Sequence, residues 1–446
     1  MSKIILTEND LPTGYTHSQV GIIPTDWTVE RIGNISEIFG RIGFRGYTKK
    51  DIVSSDQGVL SISPSNMKNG RLILDSGTYI TWEKYFESPE IQIQNEDILL
   101  VKTGSTFGKV AYVKGLKEPA TLNPQVVVLK KLKVPSEFLI HLMMSEIIQN
   151  QINDTIVGGA IPTLSQKAVA NYLFAMPTPR EQVLIGKALT EMDTLIDELN
   201  RLIKKKQAIK TATMQQLLTG KTRLPEFALR EDGTPKAYKN SELGQIPEDW
   251  DVYKVGEISD VLTGFPFPSS HYTDSGVRLL RGSNVKRGVT DWSEDITQYW
   301  PIISSDIKKY ELKVGDIVIS MDGSLVGRSF AQLDKSDLPA VLLQRVARVR
   351  SSDVDQNYLK QWICSEMFTA HCDAVKTVTA IPHISPDDIK TFRFVAPKCK
   401  KEQKQLSGIL KDMEVEIQIL NEKLTKLIMF KKGMMQELLT GKTRLV

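Results

Sequence analysis

The sequence is a tandem duplication, and this feature constrains the fold more than any other. Four separated anchors recur at a nearly constant offset, namely residues 15–27 as 238–250, 97–108 as 316–327, 160–165 as 380–385, and 217–224 as 438–445. The last anchor, Leu-Leu-Thr-Gly-Lys-Thr-Arg-Leu, is repeated without change. Since the repeat spans about half of the 446 residues, it predicts two homologous halves and not a solenoid of small repeats.

Each half has the same internal plan. Residues 15–178 and 238–397 combine short β-branched runs with turns that contain Gly and Pro, which predicts a mixed α/β domain in each half. We expect five segments: a first domain at 1–178, a helical spacer at 179–224, a linker at 225–243, a second domain at 244–399, and a second helical spacer at 400–446.

The two spacers carry a heptad pattern. In the second spacer, apolar side chains alternate in steps of four and three, at Leu406, Leu410, Met413, Ile417, Leu420, Leu424, Leu427 and, after Lys431, at Met434 and Leu438. The first spacer keeps this register from Ile185 to Leu217 but becomes polar after Ile203. The pattern favours a coiled coil. The alternative is an ordinary surface helix on each domain.

Geometry predicts how the two spacers pair. A helix over residues 179–218 would be about 60 Å long. A parallel pair would require the polar segment 225–242 to run straight back along nearly that whole length. An antiparallel pair needs no such stretch. We therefore expect two α/β domains held apart by an antiparallel two-helix coiled coil, a dumbbell with an approximate two-fold axis.

Composition excludes several classes of protein. Hydrophobic residues make up 41% and charged residues 25%, which is typical of globular chains and not of disordered or membrane proteins. Charged residues in the first ten positions argue against a signal peptide, and no apolar run has the length of a membrane helix, so we expect a cytoplasmic protein. Three cysteines without a C-x-x-C argue against a disulfide framework and a zinc ribbon.

No motif for catalysis or cofactor binding is complete. The Gly-Lys-Thr of the repeated anchor lacks the earlier glycine of a phosphate-binding loop, because Gln215 and Gln436 occupy that position. Gly220 and Gly441 are instead expected to end the helices. Residues 123–126, Asn-Pro-Gln-Val, lack the aromatic residue of adenine methyltransferase motifs. Cysteines and histidines at 364, 371, 372, 383 and 399 match no zinc-ligand spacing. We therefore expect a binding protein that is not an enzyme and has no metal or cofactor of its own.

Local charge indicates nucleic acid as the ligand. Basic side chains surround glycines and aromatic residues in turn-rich segments of both halves, and such side chains bind phosphates, whereas Arg, Asn, Gln and Ser bind base edges. A solvated surface is the alternative for either cluster alone. We expect loops at 41–50, 63–68, 102–107 and 123–125 to contact one half-site and loops at 265–271, 281–287, 321–325 and 344–345 to contact the other. The candidate residues are Arg41, Arg45, Tyr47, Lys49, Lys50, Asn66, Lys68, Lys102, Ser105, Gln125, Ser269, His271, Arg281, Asn284, Lys286, Arg287, Ser324, Gln344 and Arg345.

The two copies share their anchors but differ in their loops, which predicts two DNA half-sites of different sequence. The length of the spacer helices limits the separation of the half-sites to about 18 base pairs, and we expect a value nearer one helical turn.

The anchors together resemble the DNA-specificity subunit of type I restriction-modification systems over essentially the whole chain. They are Gly-x-Ile-Pro-x-Asp-Trp from Gly21 and Gly244, the Asp-Ile, Gly-Ser and Gly element from Asp97 and Asp316, Ala-Ile-Pro from Ala160 and Ala380, and the repeated helix ends. The resemblance implies two target-recognition domains that bind a bipartite, asymmetric double-stranded DNA site. It also implies two methyltransferase subunits that modify adenine N6 with S-adenosylmethionine, and two restriction subunits that use ATP and Mg²⁺. It provides no catalytic residue for this chain.

Two other functions stay open at this stage. The chain could be a protein-protein scaffold, or the specificity subunit of a related system in which the partner fuses cleavage and methylation. DNA binding would weaken log-linearly with salt, whereas a scaffold would show no such dependence on DNA.

Overall fold

The computed structural model describes residues 11–155 and 163–445, and these form two compact units. Unit 1 lies within Met1–Arg201 and Glu422–Val446, and unit 2 is Leu202–Asn421. Long helices start at Pro179 and Lys400, next to the predicted segment boundaries, whereas the units divide within these helices. Each unit therefore contains one α/β domain and a part of both helices.

The described residues of unit 1 form fourteen short strands. They are β1 (Tyr15–Ser18), β2 (Gly21–Pro24), β3 (Thr28–Arg31), β4 (Glu37–Gly40), β5 (Ile52–Val53), β6 (Val59–Ile62), β7 (Met67–Lys68), β8 (Gly70–Leu72), β9 (Thr78–Ile80), β10 (Ile98–Val101), β11 (Val110–Tyr112), β12 (Ala120–Leu122), β13 (Val126–Lys130) and β14 (Leu173–Met176). Its α-helices are α1 (Ile32–Ile35), α2 (Trp82–Phe86), α3 (Ser136–Met144), α4 (Glu146–Asp154), α5 (Gln166–Ala170), the first part of α6 (Pro179–Leu218) and the last part of the long helix that starts at Lys400.

A six-stranded sheet is the centre of unit 1, in the order β4-β13-β10-β11-β8-β7. A four-stranded sheet, β12-β6-β9-β5, packs beside it, and Leu99, Val101 and Val128 of the first sheet join Leu60 and Ile62 of the second in one buried cluster. β14 pairs with β3, and β1 pairs with β2. Strands β10 and β13 consist almost entirely of β-branched residues and leucine. Such apolar runs are typical of strands that are covered on both faces, and both strands are buried.

Unit 2 repeats this plan. Its strands are β15 (Tyr238–Ser241), β16 (Gly244–Pro247), β17 (Trp250–Lys254), β18 (Ser259–Thr263), β19 (Val277–Leu280), β20 (Tyr299–Trp300), β21 (Ile317–Ser320), β22 (Phe330–Gln332), β23 (Ala340–Leu342), β24 (Val346–Ser351) and β25 (Arg393–Pro397). Its α-helices are the last part of α6, α7 (Pro225–Ala228), α8 (Val255–Ile258), α9 (Gln356–Ile363), α10 (Glu366–Val375), α11 (Pro386–Thr391) and the first part of α12 (Lys400–Leu438).

The sheet order of unit 2 confirms the duplication. The order β18-β24-β21-β22 corresponds to β4-β13-β10-β11 of unit 1. The parallel pair β19 and β23 corresponds to the parallel pair β6 and β12. The pair β17 and β25 corresponds to β3 and β14. The predicted mixed α/β architecture of both halves is therefore confirmed.

The heptad positions of α6 and α12 form the buried side of each helix. Ile185, Leu189 and Leu199 are buried, as are Leu406 and Leu410. The remaining predicted seam positions from Met413 to Met434 are half-buried or buried, whereas most positions between them are exposed. None of the described helices has the length and apolar content needed to cross a lipid bilayer.

Ion pairs show that the two helices run antiparallel within each unit. In unit 1, Asp193 bonds Lys431 at 2.6 Å, and Glu181 near the start of α6 bonds Arg444 at 2.5 Å. In unit 2, Lys206 bonds Glu416 at 2.7 Å and Lys210 bonds Glu414 at 2.8 Å. Higher residue numbers on α6 thus meet lower numbers on α12, which confirms the predicted antiparallel pairing.

The repeated anchor ends both helices, as the sequence predicts. Gly220 and Gly441 each have a φ of 73°, a left-handed conformation that favours glycine. The following arginines then bind the domain. Arg223 bonds Asp249 and Glu402 in unit 2, and Arg444 bonds Asp26 and Glu181 in unit 1. Each guanidinium lies over a tryptophan, Trp250 or Trp27.

Candidate nucleic-acid interface

In unit 1, four of the predicted loops begin or end at one edge of the two sheets. Strands β4 and β10 end at this edge, because Gly40 pairs with Val127 and Val101 pairs with Val126 at the start of β13. Strands β6 and β12 are parallel and also end there. The segments after residues 40, 62, 101 and 122 therefore lie together, although up to about 80 residues separate them in the sequence.

Unit 2 forms the same edge from its own strands. Ser320 at the end of β21 pairs with Val346 at the start of β24, and Thr263 at the end of β18 pairs with Ala347. The parallel strands β19 and β23 end at Leu280 and Leu342. The loops after residues 263, 280, 320 and 342 therefore lie together in unit 2. We call these two sets of loops surface 1 and surface 2.

Backbone hydrogen bonds that occupy equivalent positions hold both surfaces. In surface 1, Lys102 N donates to Gln125 O at 2.8 Å, and Leu164 N donates to Lys102 O at 2.8 Å. In surface 2, Met321 N donates to Arg345 O at 3.0 Å, and Ile384 N donates to Met321 O at 2.9 Å. The two surfaces thus have the same backbone framework.

An isolated bridge next to these bonds also recurs, but its side chains differ. Thr103 is bridged to Thr163 in surface 1, and Asp322 is bridged to His383 in surface 2. The Asp322 carboxylate bonds His383 Nδ1 through Oδ1, and its Oδ2 lies 3.2 Å from Nη1 of Arg345. The framework therefore carries neutral hydroxyls in one unit and an ionic cluster in the other.

Four of the predicted residues line one cavity of about 600 Å³ in surface 2. They are Lys286, Ser324, Gln344 and Arg345, and all four are exposed. These four residues come from three separate loops, and they bring basic, hydroxyl and amide groups to one cavity. Such a set of groups can bind both phosphates and base edges.

Three predicted contact residues are buried, and for them the structure corrects the prediction. Arg41 is 4% exposed, and its guanidinium donates to Leu122 O at 3.0 Å and to Thr121 Oγ1 at 3.1 Å. Burial lowers the pKa of Arg41. Asn66 and Asn284 are 3% and 0% exposed. Asn66 accepts from Ser63 N, and Asn284 accepts from Arg281 N, so both amides close their own loops. These three side chains are therefore bound within the fold beneath the two surfaces.

Three further lysines lie away from the edge that forms surface 1. Lys49 and Lys50 precede β5. The first residue of β5 lies beside the start of β6, whereas surface 1 lies where β6 ends. Lys68 pairs with Arg71, and Arg71 pairs with Tyr112, the last residue of β11. This end of β11 is the one remote from surface 1. The structure therefore separates these exposed lysines from surface 1.

The remaining candidates of surface 1 lie at or near its edge. Tyr47 Oη accepts from Asn123 Nδ2 at 2.9 Å, which ties the first loop to the turn before β13. Arg45 Nη1 donates to Glu87 O at 3.2 Å. Lys102 is half-buried, and burial lowers its pKa. Ser105 and Gln125 are exposed.

The remaining candidates of surface 2 do not line its cavity, and His271 lies by Trp300, which pairs with Val277 at the far end of β19. Arg281 is half-buried and donates to Ser283 Oγ at 3.1 Å and to Ile296 O at 3.2 Å. Arg287, Ser269 and His271 are exposed. The His271 ring stands edge-on to Trp300, with 6.1 Å between the ring centroids.

The sequence analysis missed Asp322 and His383 as members of the surface. His383 entered it only as a rejected zinc ligand, and the structure places its side chain against Asp322, whereas His371 bonds the backbone oxygen of Asp388. A usable signal was present, because His383 directly follows the second Ala-Ile-Pro anchor where the first copy has Thr163. The first Ala-Ile-Pro, at residues 160–162, lies outside the described residues.

Comparison with known protein families identifies the chain. A family model described as the type I restriction modification DNA specificity domain matches residues 24–211 and 247–428, once in each half. The chain belongs to the type I restriction-modification DNA-specificity family. The resemblance inferred from the anchors is thereby confirmed, as is a DNA-specificity function within such systems.

Curated members of the specificity family are similar over much or part of the chain. The type I restriction enzyme MjaVIII specificity subunit of Methanocaldococcus jannaschii is 28% identical over 95% of this chain and 94% of its own length. The EcoAI specificity subunit of Escherichia coli is 33% identical over 40% of this chain and 30% of its own length. The crystal structure of a type I system S subunit from M. genitalium shares the fold, with a TM-score of 0.56 at 13% identity, over 93% of this chain and 96% of that chain.

Proposed function

We propose that this chain is the non-catalytic DNA-binding subunit of a type I complex, and that surface 1 and surface 2 each bind one half of a bipartite, asymmetric DNA site. The observation that carries the proposal is that surface 1 and surface 2 share one backbone framework but present different side chains. Equivalent backbone bonds hold Gln125 and Arg345, whereas the side chains around them differ in charge. Identical frameworks with different side chains suit the recognition of two different sequences.

We further propose that partner subunits perform the chemistry. Two methyltransferase subunits would use S-adenosylmethionine to methylate adenine N6, and two restriction subunits would use ATP and Mg²⁺ to translocate and cleave DNA. The specificity subunit would place both activities at the site that it binds. Because the substrate is the DNA of the cell, we assign the complex to the cytoplasm.

Exposed apolar side chains on the long helices support a role in docking the methyltransferase subunits. Leu195 of α6 and Ile428, Met429 and Phe430 of α12 are 50% to 68% exposed in unit 1. Val415 and Ile419 of α12 are 45% and 57% exposed in unit 2. Surface apolar clusters of this kind mark protein-protein contacts.

The salt dependence of DNA binding tests the central proposal. The chain with its methyltransferase subunits should bind its site with an affinity that falls log-linearly with salt concentration. An assembly that merely joins proteins would show no such slope on DNA. Exchange of residues 15–178 for the corresponding segment of another family member should then alter one half of the methylated sequence, and an altered second half would contradict the assignment of one half-site to each unit.

A paired substitution tests the docking surface. Val415→Ser with Ile419→Ser should weaken assembly with the methyltransferase, because it removes exposed apolar area and leaves the buried side of α12 unchanged. Lys404→Ser with Lys411→Ser is the matched control on the same helix, since both lysines are exposed. Sedimentation of the mixed subunits measures the effect, and equal assembly of the two double variants would contradict the docking surface.

A further inference from the structure

Two equivalent turns present different side chains to the two surfaces. Three residues join β12 to β13 in unit 1, and three join β23 to β24 in unit 2. Gln125 and Arg345 are the last residues of these turns, and both are exposed. Because Lys102 N and Met321 N bind the backbone oxygens of these two residues, the side chains leave the framework at matching points.

The guanidinium of Arg345 is anchored at one end. Asp322 lies 3.2 Å from Nη1 and is only 20% exposed, whereas the Arg345 side chain is 69% exposed. His383 occupies the other carboxylate oxygen. A guanidinium has five N–H donors, so the contact with Asp322 leaves several donors for a ligand. Arg345 also has a φ of 68°, a left-handed conformation that few non-glycine residues adopt.

Gln125 has different surroundings. The positions that correspond to Asp322 and His383 are Thr103 and Thr163, which carry no charge. The Gln125 amide offers one donor group and one acceptor. In the major groove, arginine pairs in bidentate fashion with the O6 and N7 of guanine, whereas glutamine pairs with the N6 and N7 of adenine.

We propose that Arg345, positioned by Asp322, recognises a guanine in the half-site of unit 2, and that Gln125 recognises an adenine at the equivalent place in the half-site of unit 1. This inference rests on the proposed function, since it assumes that each surface contacts one half-site. It assigns specificity to one residue in each surface and a positioning role to Asp322.

Mapping of methylated adenines in cells that carry the chain with its partner subunits tests the assignment. Arg345→Gln should change one base pair of the methylated motif from guanine to adenine, or to a mixture, in one half only. Gln125→Arg should change one base pair of the other half from adenine to guanine. Arg393→Gln is the control, because it removes an exposed arginine that is paired with Glu242 outside surface 2, and it should leave the motif unchanged.

The outcomes separate the inference from the proposed function. A bipartite wild-type motif that Arg345→Gln leaves intact in both halves overturns the inference alone. A wild-type methylome without any bipartite motif overturns the proposed function and the inference together.

If a variant no longer methylates DNA, its base preference is measured instead by the binding of DNA duplexes to the purified complex. Each base pair of the half-site of unit 2 is replaced in turn in a set of duplexes. Arg345→Gln should reduce the preference for guanine at one position by about tenfold to a hundredfold and leave the other preferences unchanged. Unaltered discrimination at every position overturns the inference.

Asp322→Ala tests the positioning role in the same assay. It should weaken the preference for guanine severalfold at the same position, and Asp322→Glu should restore part of that preference. Equal weakening on every duplex would mean that Asp322 only supports the fold, and it would overturn the positioning role.

Discussion

Surface 1 and surface 2 differ in side-chain chemistry while they share backbone hydrogen bonds. Unit 1 has Thr103 and Gln125 where unit 2 has Asp322 and Arg345, yet the strand ends and the bonds between loops are the same. The comparison teaches that backbone shape and side-chain chemistry can vary independently, because backbone bonds do not depend on which side chains project from the framework. The predictions below test whether the two units are equivalent in their framework and different at their surfaces.

The largest effect on stability is expected from substitution of Arg223 and Arg444, the arginines that follow the two long helices. Arg223 and Glu402 are 6% and 1% exposed, so Arg223→Ala leaves a buried carboxylate without its partner and should cost about 4 kcal/mol of unfolding free energy. Arg444 is 28% exposed, and its buried partner Glu181 keeps hydrogen bonds from Trp27 and Thr178, so Arg444→Ala should cost about 2 kcal/mol. Urea unfolding of the full chain measures both losses.

An exposed arginine provides the control for this pair. Arg230 bonds Glu248, and the two side chains are 44% and 34% exposed. Arg230→Ala should therefore change stability by less than about 1 kcal/mol. A larger loss of unfolding free energy for Arg444→Ala than for Arg223→Ala would contradict the expectation that the more buried arginine contributes more to stability.

The pH dependence of stability should differ between the units. Burial, together with the charge of Lys431, lowers the pKa of His141 to about 4 even though Asp193 opposes the shift. Between pH 6.5 and 4 the unfolded chain binds a proton there and the folded chain does not. His141 therefore reduces stability as the pH falls through this window, by about 3 kcal/mol in all.

Gln361 occupies the position of His141 in unit 2, is buried, and does not titrate. The difference in stability between the wild-type chain and His141→Gln should therefore shift by that amount on acidification, as measured by urea unfolding at pH 7 and pH 4. Gln361→His should introduce a second loss of the same sign. Parallel pH profiles for the wild-type chain and His141→Gln would contradict the low pKa.

The smallest expected effect is on the salt dependence of DNA binding, and it should differ between a lysine at surface 2 and a lysine away from surface 1. Lys286 lines the cavity of surface 2, and Lys68 lies away from surface 1. Lys286→Ala should reduce the slope of log K against log salt by about 1, because one phosphate contact is lost. Lys68→Ala should leave the slope unchanged. If Lys68→Ala lowers the slope by as much as Lys286→Ala, the boundary of surface 1 is drawn in the wrong place.

Much of the fold was predictable from local patterns, but the site was predictable only in part. The heptad steps predicted the buried sides of α6 and α12, and the repeated glycines predicted where the helices end. The predicted loops start from one edge in each unit, although Lys49, Lys50 and Lys68 of two of them lie away from it. Which side chains remain free there was not predictable, because Arg41 is bound by Leu122 across 81 residues and His383 meets Asp322 across 61 residues.

The sequence by itself determined the duplication, the α/β plan of each half, the helical spacers and the family, because periodicity, repeated anchors and turn residues act over short stretches of chain. Only the tertiary structure decided which polar side chains are buried and which stay exposed at the two surfaces. The physical reason is that burial and pairing depend on strands distant in sequence: the same asparagine or arginine closes a loop where a carbonyl or amide lies nearby, and stays exposed where none does.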